Sequence, residues 1–338
     1  MKEKERIKNM FELTKVEYKN RIGNLDVEAS SKVKSKKYFP IFKIDNKEYI
    51  FKPLSKTKPF TTPLFSYAEV YWSNIIKNYF YDVPIYKLAF CNGYEESEEK
   101  YYNRGCLVPN ILKEDEVLVN LYEYFRDNID EKVNILDYTN YCIYFYDYTF
   151  ILESQLFKEN KQLGEDLSYQ ILLSILKADQ NYHYENVSFI CDKETKEIKR
   201  LAPMIDHEFS TMFLCLDKKD YQISFFMEYI QSLNNGVLKK NIEYIKTYYP
   251  NIVNKFLKQL KIFNDNFIEL KIEENEFLCK CNSFSWQIGE ARYKKLDEEK
   301  AKELEQIIHL ENLNLDKVND IINREIKWNI KKIIEVLS

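Results

Sequence analysis

Glycine is scarce. The chain of 338 residues holds only 6, at Gly23, Gly93, Gly105, Gly164, Gly236 and Gly289. No two are spaced for GxGxxG or GxxxxGK[ST], which excludes Rossmann and Walker-type phosphate loops as motifs. Any phosphate-binding loop must therefore use serine hydroxyls, lysines and ordinary backbone amides. Long apolar runs are also missing. The most apolar long window, residues 141–157, is broken by Asp147 and Glu153, so no membrane-spanning helix is expected. Residues 1–6 alternate charges with no apolar stretch after them, so no secretory signal is visible. The 7 cysteines, an odd number, then read as reduced thiols of a cytoplasmic protein. There is no nucleophile elbow, no HExxH, no internal repeat and no low-complexity tract. Cys279 and Cys281 make half a metal site and read as ordinary thiols.

What is present is a globular composition. Hydrophobic residues make up 45% and charged residues 31%, enough for a sizeable core. The length fits one large domain or two intimate lobes. The net charge of −4 is uneven: residues 1–60 carry +8 and the remainder −12. A basic N-terminal part suits a polyanion or simply a solvated lysine-rich surface. The overall balance argues against double-helical nucleic acid as the main partner.

Residues 1–22 read as an amphipathic helix, with Ile7, Met10, Phe11, Leu13 and Val16 at roughly helical spacing. Residues 23–37 read as a loop ending in a lysine cluster. Aromatic and β-branched runs over 38–44 and 49–53 flank Asp45-Asn46 and predict a β-hairpin. After a loop over 54–65, Ser66 is expected to cap a helix to about Phe80. More strand is expected within 83–110, with an acidic loop at Glu95 to Glu99. From Leu112 the pattern turns helical, over 116–128, 132–154, 165–178, 220–233, 236–247, 251–268, 296–308 and 315–337. It is interrupted by a second hairpin, 187–191 and 198–201, between polar loops. A helical region that stops to build a hairpin presents those loops for function.

Two residues stand out in the first part. Lys52 ends the apolar strand Tyr49-Ile50-Phe51, where a lysine must either reach solvent or meet an anion. Glu69 shares a helical face with Trp72, Ile76 and Phe80. A carboxylate on an apolar face needs a partner unless it lies at the helix edge in water, and Lys52 is the nearest candidate. A strand lysine held by a helix glutamate is also how kinases place their phosphate-binding lysine.

Two further segments flank the second hairpin. Asp179-Gln180-Asn181-Tyr182-His183-Tyr184-Glu185-Asn186 precedes it, and Leu201-Ala202-Pro203-Met204-Ile205-Asp206 follows it. The hairpin brings Asn186 and Asp206 together. Their oxygens suit Mg²⁺, which binds through one or two carboxylates plus substrate phosphates.

The order Tyr-Ile-Phe-Lys-Pro, helix with Glu69, His183-x-x-Asn186, Leu-Ala-Pro-x-x-Asp resembles the HipA-like kinases over about residues 38–213. Their catalytic loop reads roughly N-T-D-R-H-x-x-N and their metal loop L-A-P-x-x-D. The resemblance implies an α+β, bilobal protein-kinase-like fold. A small mixed lobe would span 1–110 and a mainly helical lobe 111–338. It also implies ATP and Mg²⁺ as cofactors, with Lys52 on the nucleotide phosphates, Glu69 orienting it, and Asn186 and Asp206 on the metal. Ser30 and Ser31, in the glycine-free loop 29–37, would replace the glycine-rich loop of such kinases. A protein substrate or partner is implied. Toxins of this kind pair with a DNA-binding antitoxin and carry a preceding subdomain, for which residues 1–37 are too short.

The catalytic base departs from the pattern. The family's aspartate, two residues before His183, is here Asn181, and an aspartate occurs instead at Asp179. An amide cannot accept the substrate proton as a carboxylate does, although phosphoryl transfer depends mainly on positioning and electrostatics. Three readings stay open: Asp179 reaches the site, the enzyme is slow, or the chain binds nucleotide without transfer. The favoured function is a Ser/Thr protein kinase. A pseudokinase acting through a partner and a small-molecule phosphotransferase are the rivals.

Overall fold

The hairpin expected around Asp45-Asn46 is present in the computed structural model. The structure describes residues 10–28, 36–55, 64–94, 101–128, 145–179, 182–207, 210, 229–273, 277 and 315–338. Strands β3 (Lys36–Ile44) and β4 (Lys47–Ser55) pair antiparallel, with Ile44 opposite Lys47. The two turn residues have φ of 48° and 60°, which short polar side chains tolerate and which matches strand twist.

Four more strands complete a sheet: β1 (Thr14–Glu17), β2 (Gly23–Glu28), β5 (Lys87–Asn92) and β6 (Tyr101–Pro109). The order is β1-β5-β6-β4-β3-β2, with β1 parallel to β5 and the other pairs antiparallel. Two expectations are corrected here. The helix read over 1–22 is instead a strand at Thr14–Glu17 and a 3-10 turn at Tyr18–Asn20; residues 1–9 lie outside the described residues. Thr14 and Val16 are half-buried while Lys15 and Glu17 are exposed. That two-residue period is set by pairing along Ala89–Asn92. The loop read over 23–37 contains β2, paired with β3 from Gly23–Ile41 to Glu28–Lys36. Backbone pairing to an open edge, not a side-chain pattern, makes this strand.

Phe42, Tyr49, Phe51, Ala89, Cys91, Tyr94 and Leu107 form a core cluster on one sheet face. Helix α1 (Leu64–Tyr79) packs on the other, where the Cys106 thiol meets the Ser66 carbonyl at 3.5 Å. Every α1 residue from Leu64 to Ile76 is buried. The helix begins two residues before the expected Ser66, which lies inside it rather than capping it.

Beyond residue 111 the chain holds β7 (Glu116–Asn120), α2 (Leu121–Asn128), α3 (Thr149–Leu152), α4 (Gln155–Glu159) and α5 (Lys161–Lys177). Strands β8 (Ser188–Asp192) and β9 (Ile198–Leu201) follow, then α6 (Val237–Tyr248), α7 (Pro250–Asp265) and α8 (Leu315–Leu337). Residues 229–235 are helical. The second hairpin is present and gains β7 as a third strand, in the order β7-β8-β9. Helix was expected throughout 116–128. Instead Glu116–Asn120 pairs with β8, and Asn120 Oδ1 accepts the Glu123 amide at 2.8 Å, capping α2 where the strand stops. Of the helix expected over 132–154, residues 145–154 are described: Thr149–Leu152 form α3, and 145–148 and 153–154 are not helical. The helix expected over 296–308 and the thiols Cys279 and Cys281 lie outside the described residues.

The described residues fall into two compact units. One lies within Met1–Ile111 and Glu269–Ile322; the other lies within Leu112–Met212, Asp220–Ile268 and Asn323–Ser338. The architecture is α+β, with the six-stranded sheet and the buried helix α1 in the first unit and mainly helix in the second. Among the described residues no helix is long and apolar enough to cross a membrane.

Candidate functional site

Strand alternation decides which way Lys52 points. Tyr49 and Phe51 go to the core cluster, so Lys52 faces α1 with its β6 partner Cys106. There its ammonium donates to Glu69 Oε1. The Glu69 side chain is 1% exposed and that of Lys52 25%. The lysine thus offsets the charge of a carboxylate that is almost wholly out of water. A cavity of about 600 Å³ in the same unit, beside Asn74, Lys77 and Lys87, is lined by neither residue.

In the second unit, two tyrosines anchor the segment after α5. Tyr182 donates to Gln170 Oε1 at 3.1 Å, and Tyr184 donates to the Asp147 carbonyl at 2.6 Å. Tyr148 closes the anchor by donating to the Tyr182 carbonyl at 3.0 Å. With both tyrosines turned inward and buried, His183, Glu185 and Asn186 are left half-buried. The Asn186 amide donates to the His183 carbonyl at 2.9 Å, closing a tight turn. His183 Nδ1 accepts the Glu185 amide at 3.2 Å, so in the neutral ring the proton sits on Nε2. Burial holds the His183 pKa below its ordinary value, against the opposing pull of the Asp206 and Asp179 carboxylates.

Asp206 follows Leu201-Ala202-Pro203 in a left-handed backbone conformation, φ 63°. Gln170, which receives Tyr182, also donates to the Ala202 carbonyl at 2.7 Å. One α5 side chain thus joins the segment carrying Asn186 to the segment carrying Asp206. Both segments bear on His183, Asn186 through the turn and Asp206 through its charge. Asn186 offers an amide oxygen and Asp206 a carboxylate, both hard oxygen donors of the kind that Mg²⁺ accepts beside phosphate and water.

Asp179 has a different setting. Its carboxylate, 1% exposed, accepts the Lys177 ammonium at 2.6 Å. The same ammonium lies 2.9 Å from His207 Nδ1. Neither Lys177 nor His207 stood out in the sequence. A lysine in a last helical turn reads as an ordinary favourable terminus charge, and its imidazole partner is 30 residues away. Asn181, Ser30 and Ser31 lie outside the described residues.

No protein-family model and no curated protein matches the chain. Among solved structures, a Helicobacter pylori proinflammatory kinase, CtkA, is similar with a TM-score of 0.46 and 14% identity, over 88% of this chain and 92% of that one.

Proposed function

We propose that the chain is a nucleotide-binding protein of the HipA-like kinase kind, with ATP and Mg²⁺ as cofactors and a protein Ser/Thr hydroxyl as the acceptor class. The observation that carries this reading is the Lys52–Glu69 pair. A buried helix carboxylate holds the ammonium of a strand lysine whose side chain is 25% exposed, the pairing by which kinases place their phosphate-binding lysine. In this reading Lys52 binds the phosphates and Glu69 orients it. Asn186 and Asp206 hold the Mg²⁺, which when bound neutralises phosphate charge. Neutral His183 offers an Nε2 proton as a hydrogen-bond donor and adds no competing positive charge beside Asp206.

Transfer is weak in this reading. The family's base position holds Asn181, and the Asp179 carboxylate is buried and paired with Lys177 rather than open to a hydroxyl. That pairing favours the pseudokinase form of the proposal, in which the nucleotide-loaded chain acts through a protein partner.

Radiolabel incorporation from ATP in the natural protein, Asn181→Asp and Asp179→Asn tests it. Nucleotide binding with little transfer is expected in the natural protein. Asn181→Asp should raise transfer by about 100-fold if general-base help is what is missing. Abolition by Asp179→Asn, with no gain in Asn181→Asp, would make Asp179 the base. Absence of Mg-ATP binding to the natural protein would sink the nucleotide reading itself.

A further inference from the structure

Helix α5 ends in a turn that sends the chain back on itself. Ala178 adopts the left-handed conformation, φ 49°; its amide bonds the Ile175 carbonyl at 3.0 Å, and the Asp179 amide bonds the Ser174 carbonyl at 2.9 Å. The reversal returns Asp179 to the side chain of Lys177. From there the Lys177 ammonium spans two chain segments, 2.6 Å from Asp179 Oδ2 and 2.9 Å from His207 Nδ1. Lys177 and His207 are 0% exposed. An ammonium has donors only, so the imidazole accepts at Nδ1. A backbone bridge between Asp179 and Ser210 joins the same two segments.

We infer that Lys177 is a positioning residue: it ties the turn opening the 179–186 segment to the 201–207 segment and so fixes where Asp206 stands. Asp206 is the residue just before His207, and its left-handed backbone turns the chain at the point where the tie is made. The Gln170 bridge to Ala202 restrains the same segment from its other end. Lys177 thus restrains the Asp206 end of the segment beside the Asp179–Ser210 bridge, as Gln170 restrains the other end, and cutting its contact to His207 should loosen that end. What Asp206 holds rests on the phosphotransferase reading; the tie itself does not.

The test compares the natural protein, Asp179→Asn, Lys177→Met/Asp179→Asn and His207→Leu. Lys177→Met alone would strand a buried carboxylate, so the double variant removes both charges. His207→Leu cuts only the far arm of the tie and keeps the ion pair. Hydrogen exchange of the amides in 202–207 is followed first. It should rise at least about 10-fold in the double variant and in His207→Leu, stay near natural in Asp179→Asn, and be unchanged in α1. The second readout is the affinity gained for a fluorescent ATP analogue when Mg²⁺ is added. That gain should fall about 10-fold or more in the same two variants. Folded variants with natural exchange over 202–207 would overturn the tie. Failure of the natural protein to bind the analogue would overturn the nucleotide reading and leave the exchange result to decide the tie alone.

Discussion

Glu69, turned toward the sheet from a helix buried over thirteen consecutive residues, accepts the ammonium of Lys52, which lies 17 residues earlier on β4. The two residues are unequal in exposure, 1% against 25%, and this sets different outcomes for their removal. Lys52→Met removes the cation paired with a buried carboxylate and should cost about 2 kcal/mol of stability. Lys52→Met/Glu69→Gln should recover most of that loss in urea unfolding, yet neither variant should bind an ATP analogue as the natural protein does. Recovery of nucleotide affinity along with stability would mean that Lys52 serves the fold alone.

Gly105 is the close-approach residue behind this pair. It faces Pro53 across the β4–β6 register, next to a shift in the ladder between Pro53 and Ser55. A Cβ placed there would lie 2.0 Å from the Lys52 carbonyl oxygen and 2.8 Å from Pro53 Cα. Both obstacles are backbone, so the strand itself must move. Gly105→Ala should destabilise by about 1–3 kcal/mol and weaken nucleotide binding, because the strand that shifts carries Lys52. Chemical unfolding and analogue titration check the two effects. A neutral result in both would mean that β4 gives way at no cost.

How much of this was legible in the sequence depended on where each element finds its partners. The Asp45-Asn46 hairpin and the 187–201 hairpin were legible because their turn residues and apolar runs lie side by side in the chain. Strand β1 was not, since its four residues are ordered by pairing with Ala89–Asn92. The helical pattern over 116–128 hid a strand for the same reason: Glu116 meets Arg200, 84 residues on. Lys52 and Glu69 were legible as a pair because one ends an apolar strand and the other shares an apolar face. The Lys177–His207 contact carried no local signal. Asp179 could be read as a candidate base, but not as the partner of a buried lysine two residues earlier.

Asp206 supplies the only charge in the proposed Mg²⁺ donor set. Asp206→Ala would mix loss of charge with strain, because alanine tolerates φ near 63° poorly. Asp206→Asn keeps a residue type that tolerates the left-handed region and removes only the charge. The expected outcome is a fold as stable as the natural one and a fall of at least about 10-fold in the affinity gained from Mg²⁺. Affinity in the absence of Mg²⁺ should be unchanged or slightly higher, since the proposed phosphate site then carries one negative charge less. An unaltered Mg²⁺ effect would remove Asp206 from the metal assignment.

Glu116 gives a prediction independent of any ligand. Arg200 grips it with two hydrogen bonds, Nη1 to Oε1 at 2.6 Å and Nη2 to Oε2 at 3.0 Å, and the Lys113 amide adds a third at 3.1 Å. The Arg200 fork, followed by burial acting the other way and then the Lys113 amide, brings the Glu116 pKa from 4.5 down to about 2. A pKa depressed in the folded state means stability that is complete above the unfolded value and lost as pH falls through the folded one. The window is therefore pH 4.5 down to about 2. Asp192 is also held at about 2, and Asp115 and Asp147 are lowered, so the whole protein should lose stability in acid. Asp192 and Asp147 carry no contribution from Glu116 and cancel in a comparison with Glu116→Gln, while Asp115, which Glu116 raises slightly, is held a little lower in that variant. The Arg200 side chain is 43% exposed and can be rehydrated when its partner becomes neutral. Glu116→Gln should thus melt lower than the natural protein at neutral pH, and the gap in Tm should close as pH drops through that window. A gap that stays constant from neutral pH to acid would show that Glu116 contributes through packing and not through its charge.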